Sequence, residues 1–335
     1  MRRWSVPVLL AGVLLLPLAW GGRGPGKPVA PAPACRRVEI LAKDSPAYLE
    51  VSEAIRRELG PKFCTHETRF RREESFESLS ARVAPQKPEL MVLMDNEGVD
   101  FGVRFNASSK SPVPCVAIMG LNFKSLLKSN RWISGIAYES PAFSLVTQFR
   151  YVVGRPVRNV LAIYRRSLFS EMVDSAVSQL KLEGITLDAV NAEEQGSAND
   201  QVAEALRKGL ARMSESPGRY DAVWVLLDSE LLSQSLFTSI WIPAARKSGI
   251  PFITGSDVLV SREMEFATFA VTPNHPDLAA QAAQQVEQIL QSHIKPSEIG
   301  VENVVSVNKV LNMPLAARIG LPIRPDRLGD VKRVE

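Results

Sequence analysis

Between Pro156 and His293, short β-prone apolar runs alternate with segments whose apolar residues recur at helical spacing, and each strand-like run ends in a polar cluster. Such alternation builds a parallel sheet whose ligand crevice lies beyond the carboxyl ends of the strands. Val160-Leu161-Ala162-Ile163-Tyr164 predicts one strand. Phe169, Met172, Val173, Ala176, Val177 and Leu180 then mark a helix face, and Gly184 follows where a left-handed cap is wanted. Ile185 to Val190 predicts a strand, Val202, Leu206 and Leu210 a helix, and Tyr220 to Leu227 a strand buried on both faces. A helix over residues 236–247 should bend at Pro243, and Gly249-Ile250-Pro251 stops it before a strand at Ile250 to Thr254. The first half repeats the pattern, with strands at Val38 to Ala42, Thr65 to Phe70 and Leu90 to Met94 and a helix at Ala47 to Leu59. Two α/β lobes are expected, with the extended, Gly-containing stretch Arg131 to Tyr138 passing between them.

At 335 residues and 45% hydrophobic content, the chain is long enough for about two domains with real cores. Met1-Arg2-Arg3 followed by the apolar run Trp4 to Trp20 has the form of a secretory signal, with an uncleaved membrane anchor as the alternative. Either form takes the folded part out of the cytoplasm, so a periplasmic or other extracytoplasmic location is expected. Gly21 to Ala34 reads as a Pro/Gly-rich linker; a lipoprotein cut before Cys35 would lack its usual aliphatic residue, because Pro33-Ala34 stand there. The formal charge of +4 comes from this leader, since residues 1–35 hold Arg2, Arg3, Arg23 and Lys27 and no acid, leaving 36 basic against 36 acidic residues. That balance lacks the basic footprint of a nucleic-acid binder. Three cysteines are too few for a disulfide scaffold, though an exported chain permits one bond between Cys64 and Cys115. His66, His275 and His293 are scattered, so neither a metal site nor a cofactor is expected.

Trp132-Ile133-Ser134-Gly135-Ile136-Ala137-Tyr138, Arg158 to Tyr164, Tyr220 to Ser229, Gly249 to Asp257 and Val304 to Gly320 follow one another in an order that resembles the ABC-transporter substrate-binding proteins of the tryptophan/tyrosine-binding type. The resemblance covers about residues 130–325 well and the amino-terminal lobe weakly. It implies the type I periplasmic-binding-protein fold: two Rossmann-like lobes with parallel sheets, joined by a three-segment hinge with crossings near Ser134, Glu265 and Gly300. The amino-terminal lobe would hold residues 36–134 and about 266–299, and the carboxy-terminal lobe residues 135–265 and about 300–325, after a leader over residues 1–35. Closure of such a cleft by hinge rotation is what a membrane permease would sense.

Loops after parallel strands face the crevice, so their polar residues are the candidates for ligand contact. They are Asp44 and Ser45; Asp95 and Asn96; Arg165, Arg166 and Ser167; Asp228 and Ser229; and Ser256 and Asp257. Tyr138 and Glu139 join them through the resemblance. Helix capping accounts equally well for Ser45, Ser167 and Ser229. Asp228 and Asp257 suit a ligand ammonium group and Arg165 and Arg166 a carboxylate, so an amphoteric solute, such as an amino acid, would use both. Trp224 and Trp241 read as core residues. After Met94 the related proteins carry a small-residue loop, whereas this chain has Asp95-Asn96-Glu97-Gly98 followed by Phe101 and Phe105.

Ser125-Leu126-Leu127-Lys128, Ser197-Ala198-Asn199 and Lys247-Ser248-Gly249 mimic the motif order of penicillin-recognising serine enzymes, but the third closes a helix where those enzymes need a strand. No covalent chemistry is expected. Two readings result: a monomeric solute-binding protein that presents a small molecule to an ABC permease of the inner membrane, or an envelope sensor or scaffold that keeps the bilobal fold with an altered or lost pocket.

Overall fold

The structure is a computed structural model that describes residues 35–107, 109–122, 127, 130–194, 196 and 198–335. The leader and linker expected over residues 1–34 lie outside the described residues, as do Ser125, Leu126, Lys128 and Ser197 of the serine-enzyme mimicry. Residues Arg36–Glu335 make one unit containing two sheets.

The first sheet is built from β1 (Arg36–Lys43), β2 (Phe63–Phe70), β3 (Leu90–Met94), β4 (Cys115–Ile118), β5 (Ile133–Ala137) and β11 (Val301–Asn303), in the order β11-β5-β4-β3-β1-β2. Helices α1 (Pro46–Leu59), α2 (Phe76–Val83) and α3 (Asp95–Ala107) follow its first three strands. The second sheet contains β6 (Asn159–Tyr164), β7 (Thr186–Asn191), β8 (Ala222–Val225), β9 (Phe252–Thr254), β10 (Phe269–Pro273), β12 (Val307–Asn312) and β13 (Val331–Val334), ordered β13-β12-β10-β9-β8-β6-β7. Its helices are α4 (Ala142–Val152), α5 (Arg166–Leu182), α6 (Asn199–Glu215) and α7 (Ile242–Ser248). Among these described strands every pairing is parallel except that of β10 with β12. The bend expected at Pro243 takes the form of a π-helical turn, Phe237–Trp241, just before it; a proline offers no N–H to an α-helical ladder.

Successive strand residues face opposite sides of a sheet, so each sheet has two cores. In the first, Ile40, Val92 and Val116 pack with Val51 and Ile55 of α1 and with Leu278, Ala282 and Val286 of α8 (His275–Leu290). Their neighbours Leu41, Met91 and Leu93 pack with Leu79 and Val83 of α2 and with Val99 and Phe101 of α3. In the second, Val160, Ala162 and Trp224 meet Phe149 of α4 and Val173 of α5, while Leu161, Ile163 and Val223 meet Leu206 of α6 and Trp241. Trp224 and Trp241 are thus core residues, and the Trp241 indole N–H donates to the Leu231 carbonyl at 2.8 Å. Phe101 stacks with Phe76 and Phe105, with ring centroids 5.5 Å apart in each case, so the bulky residues after Asp95 enter the outer core.

The chain passes between the sheets at residues 138–141, at Asn274 and at residues 304–306; the first and third begin four residues beyond the crossings expected near Ser134 and Gly300, and the second lies nine beyond Glu265 because β10 belongs to the second sheet. Ser134 lies inside β5, where its hydroxyl donates to Gln285 Oε1 at 2.9 Å, and Gly135 N–H donates to the Gly300 carbonyl at 3.0 Å. Most of the Gly-containing stretch Arg131 to Tyr138 is therefore strand β5 of the first sheet, and Gly300 leads into β11 beside it, through ladder bonds that the sequence does not announce.

The Cys64–Cys115 bond does not form: Cys115 is free and buried, and Cys35 and Cys64 are the disulfide-bonded cysteines. Cys64 is on β2 and Cys115 on β4, with β1 and β3 between them, a separation of about 14 Å from strand spacing alone and beyond disulfide reach. Burial pushes the Cys115 thiol pKa up to about 12.

Glu39 is buried on β1 with His66 Nδ1 2.9 Å from its carboxylate. Burial raises its pKa above the ordinary 4.5, in spite of hydrogen bonds from Thr68 and His66. The folded state therefore holds this proton more tightly than the unfolded chain, a contribution present at low pH and lost as pH rises through the folded pKa. Glu39→Gln, which cannot ionise, should gain stability relative to the parent as pH rises above the ordinary carboxylate value of 4.5, measured as urea midpoints. A difference that does not change with pH would remove Glu39 from this role.

Candidate functional site

Both sheets contain the same strand order, β2-β1-β3-β4-β5 in the first and β7-β6-β8-β9-β10 in the second. In this order the crevice for a ligand opens where the order reverses, beyond β1 and β3 and beyond β6 and β8. An ion pair spans each of these points. At the first, Lys43 Nζ lies 2.8 Å from Asp95 Oδ2, and the Tyr48 hydroxyl donates to the same oxygen at 3.0 Å. At the second, Arg165 grips Asp228 in bidentate fashion, Nε to Oδ2 at 2.7 Å and Nη2 to Oδ1 at 2.8 Å, and also pairs with Glu230. Asp228 Oδ1 further accepts the N–H groups of Glu230 and Leu231, and both Arg165 and Asp228 are buried. The charges nominated for the two ends of an amphoteric ligand thus hold each other.

The other nominated residues divide by what they touch. Asp44 is exposed and meets Arg71 at 3.3 Å. Ser45 precedes α1 without a side-chain cap bond; its carbonyl accepts from Tyr48 and Leu49. Asn96 clamps the loop after β4, donating to the Leu121 carbonyl at 3.1 Å and accepting its N–H at 2.8 Å. The Ser167 hydroxyl and N–H both donate to Glu193, at 2.6 and 2.8 Å. Burial alone would raise the Glu193 pKa, but those two bonds hold it below the usual carboxylate range. Glu193 caps α5 from the loop after β7, a role no local motif announces. Arg166, Ser229 and Asp257 are exposed, and Ser256 is half-buried.

A second group gathers where the first passage leaves β5. The Tyr138 hydroxyl lies 2.9 Å from His275 Nε2, and His275 Nδ1 lies 3.9 Å from Glu50. Burial, then the charges of Asp257 and Glu50, push the Tyr138 phenol up to about 12. Burial, then Asp95, likewise raises the pKa of Tyr48, which also feels Tyr138. Asp257 follows β9 of the second sheet, and Tyr138 follows β5 of the first. A hydrogen bond also crosses between the lobes: Asn122, in the loop after β4, donates Nδ2 to the Leu168 carbonyl of α5 at 2.8 Å, while its N–H donates to the Glu139 carboxylate. Asp95, Met119 and Asn122 have φ of 67°, 58° and 60°. Non-glycine residues in this region are uncommon, and here they cluster at the ends of β3 and β4, where ligand loops are expected. Tyr48, Asn122 and His275 were not nominated from the sequence, because none sits in a strand-end polar cluster of its own.

The mouth offers aromatic and acidic groups, Tyr48, Tyr138, His275, Glu50 and Asp257. Arg165 being committed to Asp228, Arg166 is the nominated cation that remains, exposed at the start of α5. Among the described residues no group of three or more His, Cys, Asp or Glu side chains is placed to hold a metal ion, and no helix is long and apolar enough to cross a membrane.

Neither a family model nor a curated protein matches the sequence. Solved structures do. An ABC domain in complex with L-Trp from Streptococcus pneumoniae is 16% identical, with a TM-score of 0.60 over 90% of this chain and 100% of that one. The ligand-free, open structure of a substrate-binding protein with adhesive properties from Clostridium difficile is 13% identical, with a TM-score of 0.62 over 90% and 99%. A conserved domain protein from Vibrio cholerae is 14% identical, with a TM-score of 0.59 over 90% and 99%. At these identities the likeness establishes the fold, that of the type I periplasmic binding proteins.

Proposed function

We propose that the protein is an extracytoplasmic solute-binding protein that takes a small molecule into the mouth between its two lobes and presents it to an ABC permease. The observation that carries the reading is the contact between the lobes at their strand ends: Asn122, in the loop after β4, donates to the Leu168 carbonyl in the first turn of α5 at 2.8 Å. Loops on two lobes joined by three passages can close on a solute by hinge rotation, which gives a permease a shape to read. The fold neighbours that include substrate-binding proteins support it.

The internal pairing of Arg165 with Asp228 narrows the solute. An α-amino acid needs a cation for its carboxylate, and the buried one is already neutralised. A solute with an apolar or aromatic body and hydrogen-bond donors fits Tyr48, Tyr138 and Asp257 better. A saturating solute, at about a hundred to a thousand times its dissociation constant, should stabilise the protein by about 3–4 kcal/mol. Tyr138→Ala should weaken that solute by about tenfold or more, since a buried aromatic contact contributes over 1 kcal/mol.

The ion pairs at both reversal points favour a second reading, a sensor or scaffold of the cell envelope that keeps the bilobal fold with an altered pocket and contacts a protein partner. A broad solute panel that leaves the melting temperature unchanged would favour it. Genes for a permease and an ATPase beside this one would favour transport.

A further inference from the structure

Each of the three passages has its root in the first lobe: the first leaves β5, the second enters α8 and the third leaves β11. β5 and β11 pair in parallel, with Glu302 opposite Ile136, and α8 packs on the face of the sheet that Ile136 occupies. That side of α8 is apolar at Leu278, Ala282 and Val286, yet Gln281 and Gln285, one helical turn apart, are buried there as amides, 8% and 1% exposed. Their N–H groups converge on one atom. Glu302 Oε2 on β11 accepts from Gln281 Nε2 at 3.1 Å and from Gln285 Nε2 at 3.0 Å. Gln285 Nε2 also donates to the Gly135 carbonyl of β5 at 3.3 Å, and Gln285 Oε1 accepts the Ser134 hydroxyl. Gln281 Nε2 donates in addition to the Asn303 carbonyl at 3.0 Å. One carboxylate thus ties the roots of all three passages.

A second clamp lies on the other side. The Asn274 N–H donates to the Ser306 carbonyl at 3.0 Å, so the second and third passages continue the β10–β12 ladder out of the second lobe. Rotation of one lobe against the other then falls on the few residues between the clamps and leaves the first sheet undistorted. An apolar side chain at either glutamine position would fill the same space. The amides instead admit one arrangement, because any slip of β5, β11 or α8 leaves a buried donor unpaired.

We propose that Glu302 is a positioning residue of the hinge, which locks β5, α8 and β11 together so that the lobes turn as rigid bodies about the passages. This role rests on the lobe rotation proposed above. Spin labels at Arg57→Cys on α1 and Lys181→Cys on α5, both exposed positions, report the distance between the lobes by double electron–electron resonance. Cys115 is buried and Cys35 and Cys64 are disulfide-bonded, so the introduced thiols take the label. The parent and Glu302→Gln, whose amide oxygen still accepts both donors, should give the same distribution of distances. Glu302→Ala should broaden it, and exchange of the Gly135 amide proton, which bonds to Gly300, should quicken about tenfold as the buried donors lose their acceptor. Gln281→Met keeps the volume, removes one donor and should broaden the distribution less. A stabilising role alone would lower the urea midpoint of these variants and leave the distribution narrow. An unchanged distribution in Glu302→Ala, or in Gln281→Met should Glu302→Ala not fold, would overturn the proposal, as would broadening in Glu302→Gln equal to that in Glu302→Ala. Because no solute enters the measurement, a solute panel that binds nothing would remove the role proposed for the mouth without touching this result.

Discussion

Asp228→Ala is expected to destabilise the protein by about 3–5 kcal/mol, the usual result of removing one partner from a buried ion pair. Arg165 would keep a half-exposed contact with Glu230 but lose the two bonds that neutralise it inside the fold, and the N–H groups of Glu230 and Leu231 would lose their acceptor. The paired substitution Arg165→Met with Asp228→Asn removes the buried charge and keeps an acceptor for those N–H groups. It should recover most of the loss, since an ion pair replaced by neutral side chains of similar volume is often no less stable. Urea unfolding of the single and paired variants measures both. An Asp228→Ala protein as stable as its parent would mean that the pair opens in solution and that these charges are available to a ligand after all.

Gly135→Val is expected to have an effect of similar size, about 3 kcal/mol or more from overpacking. A Cβ at Gly135 would lie 2.6 Å from the Ala117 carbonyl oxygen and 3.2 Å from the Ala117 Cβ. The neighbour is backbone of β4, paired in register with β5, so it cannot swing aside as a side chain would. Because β5 leads into the first passage, the strain would fall on the root of the hinge. Gly135→Ala should show a smaller loss in the same unfolding experiment, and wild-type stability in the valine variant would show that the two strands can separate without cost.

The second sheet was legible because its elements obey one period each. The strand expected at Val160 to Tyr164 occupies Asn159–Tyr164, and the helix marked by Phe169 to Leu180 occupies Arg166–Leu182. Gly184 and Gly249 follow their helices with φ of 70° and 63°, the left-handed conformation that a helix terminus favours and that glycine adopts without strain. β4 was hidden because Pro112 and Pro114 precede its four residues, and prolines argue against a strand in the middle of a sheet. The first and third crossings lie later than the sequence suggests because β5 and β11 are short runs whose pairing is set by distant residues, as in the bond from Gly135 to Gly300.

The candidate site divides along the same line. Polar loops after β1, β3, β6, β8 and β9 are legible from the pattern alone, and the structure joins them in pairs within each sheet, Lys43 with Asp95 and Arg165 with Asp228. What each charge touches was not legible. Arg165 and Asp228 are 63 residues apart, and they meet because β6 and β8 are neighbours in the sheet. A sequence shows two opposite charges at strand ends and leaves open whether they grip a solute or each other. The same limit applies to Glu193, which caps α5 from 26 residues away, and to His275, which reaches Tyr138 across 137.

Native mass spectrometry of the protein recovered from the organism that makes it tests the central claim most directly. The account predicts a small molecule that stays with the folded protein, leaves on unfolding and is depleted in Tyr138→Ala. Recovery of the folded protein with no such molecule, together with an unchanged mass on incubation with the growth medium's solutes, would contradict a solute-binding role and leave the bilobal fold to a protein partner.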